Sequence, residues 1–223
     1  MPKYKDNSTF SYPADLVWAA ACTAYRINAG YLKNPEITAD GKISRPTNCE
    51  LVKLYLADDS HQSIDPADWA QGQQCRQALI NSVTMSALKN QLTEWNMLTA
   101  RMAELDTVTT DYEVSVITSM PKSYDQTVHR ENTDSRLAHC DSQPAGRINE
   151  RVELVGEVVR CNYSNQYNTH YVTVITKHNQ QVFFAYRERL KPGCEITICG
   201  RVKRHADRAT QLSRVKIKQQ EAV

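Results

Sequence analysis

Between Glu150 and Lys218 the chain carries five short runs rich in Val, Ile, Thr, Phe and Tyr, each closed off by Asn, Gly, Pro, Asp or charged residues. Such runs form short antiparallel strands. They predict strands over Arg151 to Cys161, about His170 to Lys177, Gln181 to Arg187, Glu195 to Arg204 and Thr210 to Lys218. Alternation assigns their faces. In the fourth run Ile196, Ile198, Gly200 and Val202 share a core side, and Glu195, Thr197, Cys199, Arg201 and Lys203 a wet one. In the third, Val182, Phe184 and Tyr186 oppose Gln181, Phe183, Ala185 and Arg187. Gly156 interrupts the long first run where a closing barrel needs a bulge or a tight bend. Five strands in roughly 70 residues, with no crossover helix, point to an OB-like barrel, with an SH3-like barrel or a half-sandwich as alternatives.

The preceding part reads as helices. Leu16, Val17, Ala20, Ala24 and Ile27 recur at helical spacing after Pro13, and Asn28-Ala29-Gly30 supplies a stop. Turn residues over Lys33 to Pro46 predict a surface loop or a tiny hairpin. Thr47-Asn48-Cys49-Glu50 has the form of a capping box, Asp65-Pro66 starts a further helix, and Thr110-Asp111-Tyr112-Glu113 repeats the box. The pattern over 66–105 allows one helix or two broken near Ser82-Val83-Thr84. A short helix through Val114, Ile117 and Met120 is expected to stop at Pro121, with another over Ser123 to Leu137. The expected fold class is therefore α+β: an all-helical N-terminal domain (1–140), a linker (141–149), the OB-like barrel (150–218) and a tail (219–223).

Covalent chemistry finds little footing in these residues. The chain has seven Gly, and they form neither a Walker nor a Rossmann pattern. Seven Cys lie scattered without CxxC spacing, and Cys194 and Cys199, five apart on one strand, point to opposite faces; free thiols are expected, with no metal and no cofactor. Asp58, Asp59, Asp65 and Asp68, beside His61, read as helix caps and solvated turns rather than a metal-binding carboxylate cluster. His139-Cys140 adjacency is not the geometry that activates a thiolate. A non-enzyme is expected.

Charge is distributed unevenly. The net charge is only +2, yet residues 150–218 hold thirteen Lys and Arg against six Asp and Glu, while the rest holds fourteen against nineteen. A basic module joined to an acidic partner suits a polyanion. OB barrels bind nucleic acid across strands two and three and the loops joining strands one to two and four to five. Here the first loop, Asn162 to Asn168, offers Tyr163 and Tyr167, and the second, Arg204 to Arg208, offers Arg204, His205 and Arg208. Tyr171 and Phe183 supply rings for stacking bases, and Arg160, Lys177, Arg187, Arg201, Lys203, Arg214 and Lys216 supply cations for phosphates.

The segment Gly200-Arg201-Val202-Lys203-Arg204-His205, followed by Thr210-Gln211-Leu212-Ser213-Arg214-Val215-Lys216, resembles the last hairpin of OB modules in phage-encoded single-stranded-DNA-binding and DNA-replication accessory proteins. The resemblance implies single-stranded nucleic acid, DNA first, as ligand, and a phage or similar origin. The last residues, Gln219-Gln220-Glu221-Ala222-Val223, do not form the acidic tail that recruits partners in such proteins. The alternative is an interaction module in which the barrel docks a protein and the helical domain oligomerises or scaffolds. No apolar run approaches the roughly 20 residues of a membrane span and Met1 to Phe10 lacks a signal-peptide core, so a cytoplasmic protein without a membrane partner is expected.

Overall fold

A computed structural model describes residues 10–57, 64–141 and 143–221, and the side chains within them as far as Lys218. Asp58, Asp59 and His61 lie outside the described residues. The chain forms two compact units, 1–128 and 129–223. In order, the elements are β1 (Tyr12–Pro13), α1 (Ala14–Ile27), β2 (Glu36–Ile37), β3 (Ile43–Arg45), α2 (Asn48–Ala57), α3 (Pro66–Leu88), α4 (Glu94–Glu104), β4 (Thr107–Val108), α5 (Asp111–Ala138), β5 (Arg151–Ser164), β6 (Thr169–Thr176), β7 (Gln181–Tyr186), β8 (Glu195–Ala206) and β9 (Ala209–Glu221). Among the described residues no helix is long and apolar enough to cross a membrane.

The first unit is helical, with two short ladders added: β1 pairs with β4, and β2–β3 is the tiny hairpin. Its centre is α1, where Val17, Trp18, Ala19, Ala20, Ala21 and Ala24 are sealed from solvent. Alanine on nearly every side lets neighbouring helices come close. Gly72 of α3 marks the closest approach, since a Cβ there would lie 3.1 Å from both the Ala19 nitrogen and the Trp18 carbonyl carbon. Buried Asp68 is held by Arg26 at 2.7 Å and by the Thr23 hydroxyl at 2.8 Å. Both capping boxes form: the Thr47 amide donates to Glu50 Oε2 at 2.8 Å, and the Thr110 amide to Glu113 Oε2 at 3.2 Å.

Two helix boundaries differ from those expected. The run over 66–105 breaks not near Ser82 but after Leu88, where Asn90 takes a left-handed φ of 55° and Thr93 caps α4 by accepting the Asn96 amide. Nor does Pro121 end its helix. It is buried inside α5 beside Met120, Ile117 and Val114, and the burial of that apolar face outweighs the backbone bond that proline forfeits. Residues 129–138, the last turns of α5, belong to the second unit.

In the second unit the strands close into a barrel in the order β5-β6-β7-β9-β8, β8 returning to β5. All neighbours are antiparallel except β7 and β9, and the result is the expected OB-like, five-stranded barrel. β5 achieves closure by serving two partners: its first half pairs with β8 and its second half with β6. Gly156 sits at the handover, paired to both Ile196 and Thr176, and a Cβ there would stand 2.4 Å from the Ile175 carbonyl oxygen. Val158, Val172, Val174, Val182, Phe184, Ile196, Ile198, Val202 and Leu212 fill the interior. Described residues of the stretch expected as a linker are hydrogen-bonded to this barrel: Asp141 donates to the Asn179 carbonyl at 2.8 Å, Ala145 to Thr210 Oγ1 at 3.0 Å and Asn149 to the Val202 carbonyl at 2.9 Å.

Candidate nucleic-acid interface

The outer face of β6 and β7 follows directly from the register. With Val172, Val174, Val182 and Phe184 turned inward, Tyr171, Thr173 and Ile175 of β6 and Gln181, Phe183 and Ala185 of β7 must turn outward. One rung runs unbroken across all five strands: Arg160 faces Thr173, Thr173 faces Phe183, Phe183 faces Gln211, and Gln211 faces Arg204. A half-buried aromatic ring thus lies at the middle of a row that ends in an arginine on either side. Each arginine is two strand spacings away, about 10 Å. The next rung places Asn162 opposite Tyr171 and Tyr171 opposite Ala185.

Tyrosines extend the row toward the β5–β6 turn. Tyr171 is 40% exposed and Tyr167 63%, and their rings meet edge-on with centroids 6.4 Å apart. Tyr163 does not join them. β5 runs on to Ser164, so Tyr163 stands on a strand and not in the loop, and it pairs across the ladder with His170, ring centroids 5.0 Å apart. Alternation puts that pair on the side of the hairpin opposite Tyr171. The expected loop shrinks to the turn Asn165–Asn168, with Asn168 at φ 45° and its Oδ1 accepting the Tyr163 hydroxyl at 2.5 Å. The second expected loop shrinks likewise, to Asp207 and Arg208 between β8 and β9.

The cations sort into three groups. Around the aromatic row stand Arg160, Arg187 and Arg204. Arg160 is held by Asp134 at 2.6 Å and Arg204 by the Gln211 amide oxygen at 2.7 Å, while Arg187 has no side-chain partner among the described residues. At the end of the barrel near the β6–β7 turn, Arg208 donates to the Ala138 carbonyl at 3.2 Å and Lys177 pairs with Glu195 at 2.9 Å, so both are tied into the structure. His205 lies near Thr210 Oγ1, 3.4 Å from its Nδ1. Arg201, Arg214 and Lys216 occupy the wall of β8 and β9, which borders neither β6 nor the Tyr171 rung, and Lys203 is the exposed extra residue of a bulge between Val202 and Arg204. The fourteen expected binding residues therefore do not form one surface.

The end of α5 frames the face on the β5 side. Besides Asp134 to Arg160, Arg136 clasps Glu157 through two bonds, 2.7 and 3.0 Å. That clasp holds the Glu157 carboxyl below the ordinary glutamate range and raises the guanidinium of Arg136. Sequence reasoning missed Thr173 and Gln211 as the polar floor between the ring and the arginines. Only the register shows them, and a one-residue slip would turn them inward. Among the described residues no cluster of three or more His, Cys, Asp or Glu could hold a metal ion. No family model, no curated protein and no solved structure matches this chain.

Proposed function

We propose that the barrel binds single-stranded nucleic acid, DNA first, along the β6–β7 face without catalysing a reaction on it. The observation that supports this reading most strongly is that Tyr171 and Phe183 share the outer β6–β7 face with Tyr167 beside Tyr171, while Arg160 and Arg204 end the Phe183 rung and Arg187 stands beyond Ala185 at the end of β7. Rings and cations in that order suit a strand whose bases lie flat on aromatic planes while its phosphates run past guanidinium groups. Thr173 and Gln211 offer hydrogen bonds of either polarity, which favours tolerance of sequence over readout. The resemblance of the last hairpin to phage OB modules supports an accessory role in DNA replication or recombination. Fluorescence anisotropy of a labelled strand of about 30 nucleotides, read at about 50 and 300 mM salt, tests the reading. Salt-sensitive binding that prefers single strand to duplex is the expected result; equal binding of duplex, or none at low salt, would overturn it.

A second reading has its own observation. Met85 and Leu88 at the end of α3 and Leu92, Trp95 and Met97 around the start of α4 are each about half exposed or more, Leu88 reaching 77%. So many exposed apolar side chains along one short stretch of chain suit a protein-binding surface, which fits a helical unit that oligomerises or docks a partner. Light scattering of wild type against Leu88→Ser/Trp95→Ser tests it. A mass that falls in the variant supports self-association, and an unchanged monomer mass removes it.

A further inference from the structure

The wall formed by the first half of β5, with β8 and β9, gathers four cations around one stretch of its ladders. Arg151 and Arg201 face each other directly across the β5–β8 ladder, and the next rung of the β8–β9 ladder brings Lys216 opposite Cys199. Between those rungs β9 carries one residue too many: Arg201 pairs with Ser213 and Cys199 with Lys216, so Arg214 and Val215 together oppose Gly200. Arg214 takes up the excess with a φ of 51°. A groove of about 310 Å³ opens there, lined by Arg151, Arg201, Arg214 and Lys216 over Cys199 and Gly200, with no carboxylate in its lining. The nearest acid on the ladder, Glu153, is already bound to Lys218 at 2.6 Å.

Neither feature helps the fold by itself. Like charges directly opposite on a ladder repel, and a non-glycine residue in the left-handed region is strained. Protection of an open strand edge explains Lys218 on β9, but Arg201 is paired on both sides and guards no edge. A bulge is also the device by which a strand re-aims one side chain, and here it brings a third arginine to the groove. We propose that the groove is a phosphate-binding site, taking the oxygens of successive phosphates in a polyphosphate chain or a nucleic-acid backbone. Three guanidinium forks match phosphate oxygens in pairs, and the ammonium adds a point charge. The site lies on a different wall from the aromatic row and does not depend on it.

The test uses the full chain and a double variant, Arg151→Gln/Arg214→Gly, in which glycine accepts the left-handed φ and so removes a cation without adding strain. Calorimetric titration with inorganic tripolyphosphate should show binding to wild type that weakens at least about tenfold in the variant, with a melting temperature as high as that of wild type or higher. The oligonucleotide separates the sources. If the groove takes a strand backbone, the variant also binds the 30-nucleotide strand more weakly, and its salt dependence becomes shallower by roughly 0.7 for each phosphate that is no longer neutralised. If it takes free polyphosphate alone, strand binding is unchanged. Replacing Tyr167 and Tyr171 instead should leave tripolyphosphate binding intact, whatever becomes of the strand. The proposal is overturned if wild type binds no tripolyphosphate and the variant binds the strand as wild type does, if the variant binds both ligands as tightly as wild type, or if neither ligand binds wild type at low salt.

Discussion

Tyr167 in the β5–β6 turn stands edge-on to Tyr171 on β6, the two ring planes at 89°. Each ring therefore fixes the other while both keep a free face. Stacking of one base on such a ring contributes about 1 to 3 kcal/mol, so Tyr171→Ala is expected to weaken single-strand binding roughly 5- to 150-fold. Tyr163→Ala should change it much less, because Tyr163 pairs with His170 on the other side of the hairpin. Anisotropy titrations of the two variants side by side check this, and equal losses would contradict the division of the tyrosines.

Asp134 places a carboxylate 2.6 Å from Arg160 at one end of the aromatic row. The pair is partly exposed and worth at most about 1 kcal/mol. Asp134→Asn frees the guanidinium and removes a charge that repels phosphate, and should tighten strand binding about 2- to 5-fold at low salt. The gain should vanish at high salt, which the same titration would read.

Gly156→Ala is expected to cost about 3 kcal/mol or more. Its Cβ would meet the Ile175 carbonyl oxygen at 2.4 Å and Thr176 Cα at 2.8 Å, both backbone atoms that cannot swing aside. Thermal unfolding followed by circular dichroism should show the barrel destabilised. A neutral outcome would mean that β5 does not bend tightly there.

Arg136 holds the Glu157 carboxyl below the ordinary glutamate range. A carboxyl depressed in the folded state stabilises above its unfolded pKa, about 4.3, and that contribution is lost as pH falls through the folded value. Both side chains are more than a third exposed, so the size is at most about 1 kcal/mol. Glu157→Gln should therefore lower the melting temperature slightly at pH 7, by an amount that shrinks as the pH is taken below the ordinary glutamate range. Thermal denaturation of both proteins at pH 7 and at a series of lower pH values decides it.

Much of this architecture was legible because its signals are local. The five β-branched runs, the turn residues between them and the threonine–glutamate boxes at the starts of α2 and α5 each act within a few residues of chain. Alternation also placed Phe183 outside and Phe184 inside. What the sequence could not show depends on distant partners. Bulges between Val158 and Arg160 and between Val202 and Arg204 shift the parity of a strand, and a linear pattern cannot reveal which neighbour absorbs the extra residue. Nor does it reveal which wall a strand joins: Arg201, Arg214 and Lys216 lie on β8 and β9, which do not border β6, and Arg151 meets Arg201 only across the β5–β8 ladder. Pro121 stays inside α5 for a related reason: its local preference to stop a helix is outweighed by apolar neighbours that share its buried face.

The shortest seam of the barrel is where β7 meets β9, over three rungs from Gln181–Ala209 to Phe183–Gln211, whereas β5 and β6 share eight. A seam held by so few rungs is the first to part. Its amide hydrogens should exchange with solvent sooner than those of Val172 and Val174 inside the β6 ladders. A strand lying along the rung from Arg160 to Arg204 would cross this seam at Phe183 and Gln211, and so act as a clasp. Occupancy and closure are then one equilibrium, in which a tighter grip on the ligand is also a slower breathing of the barrel.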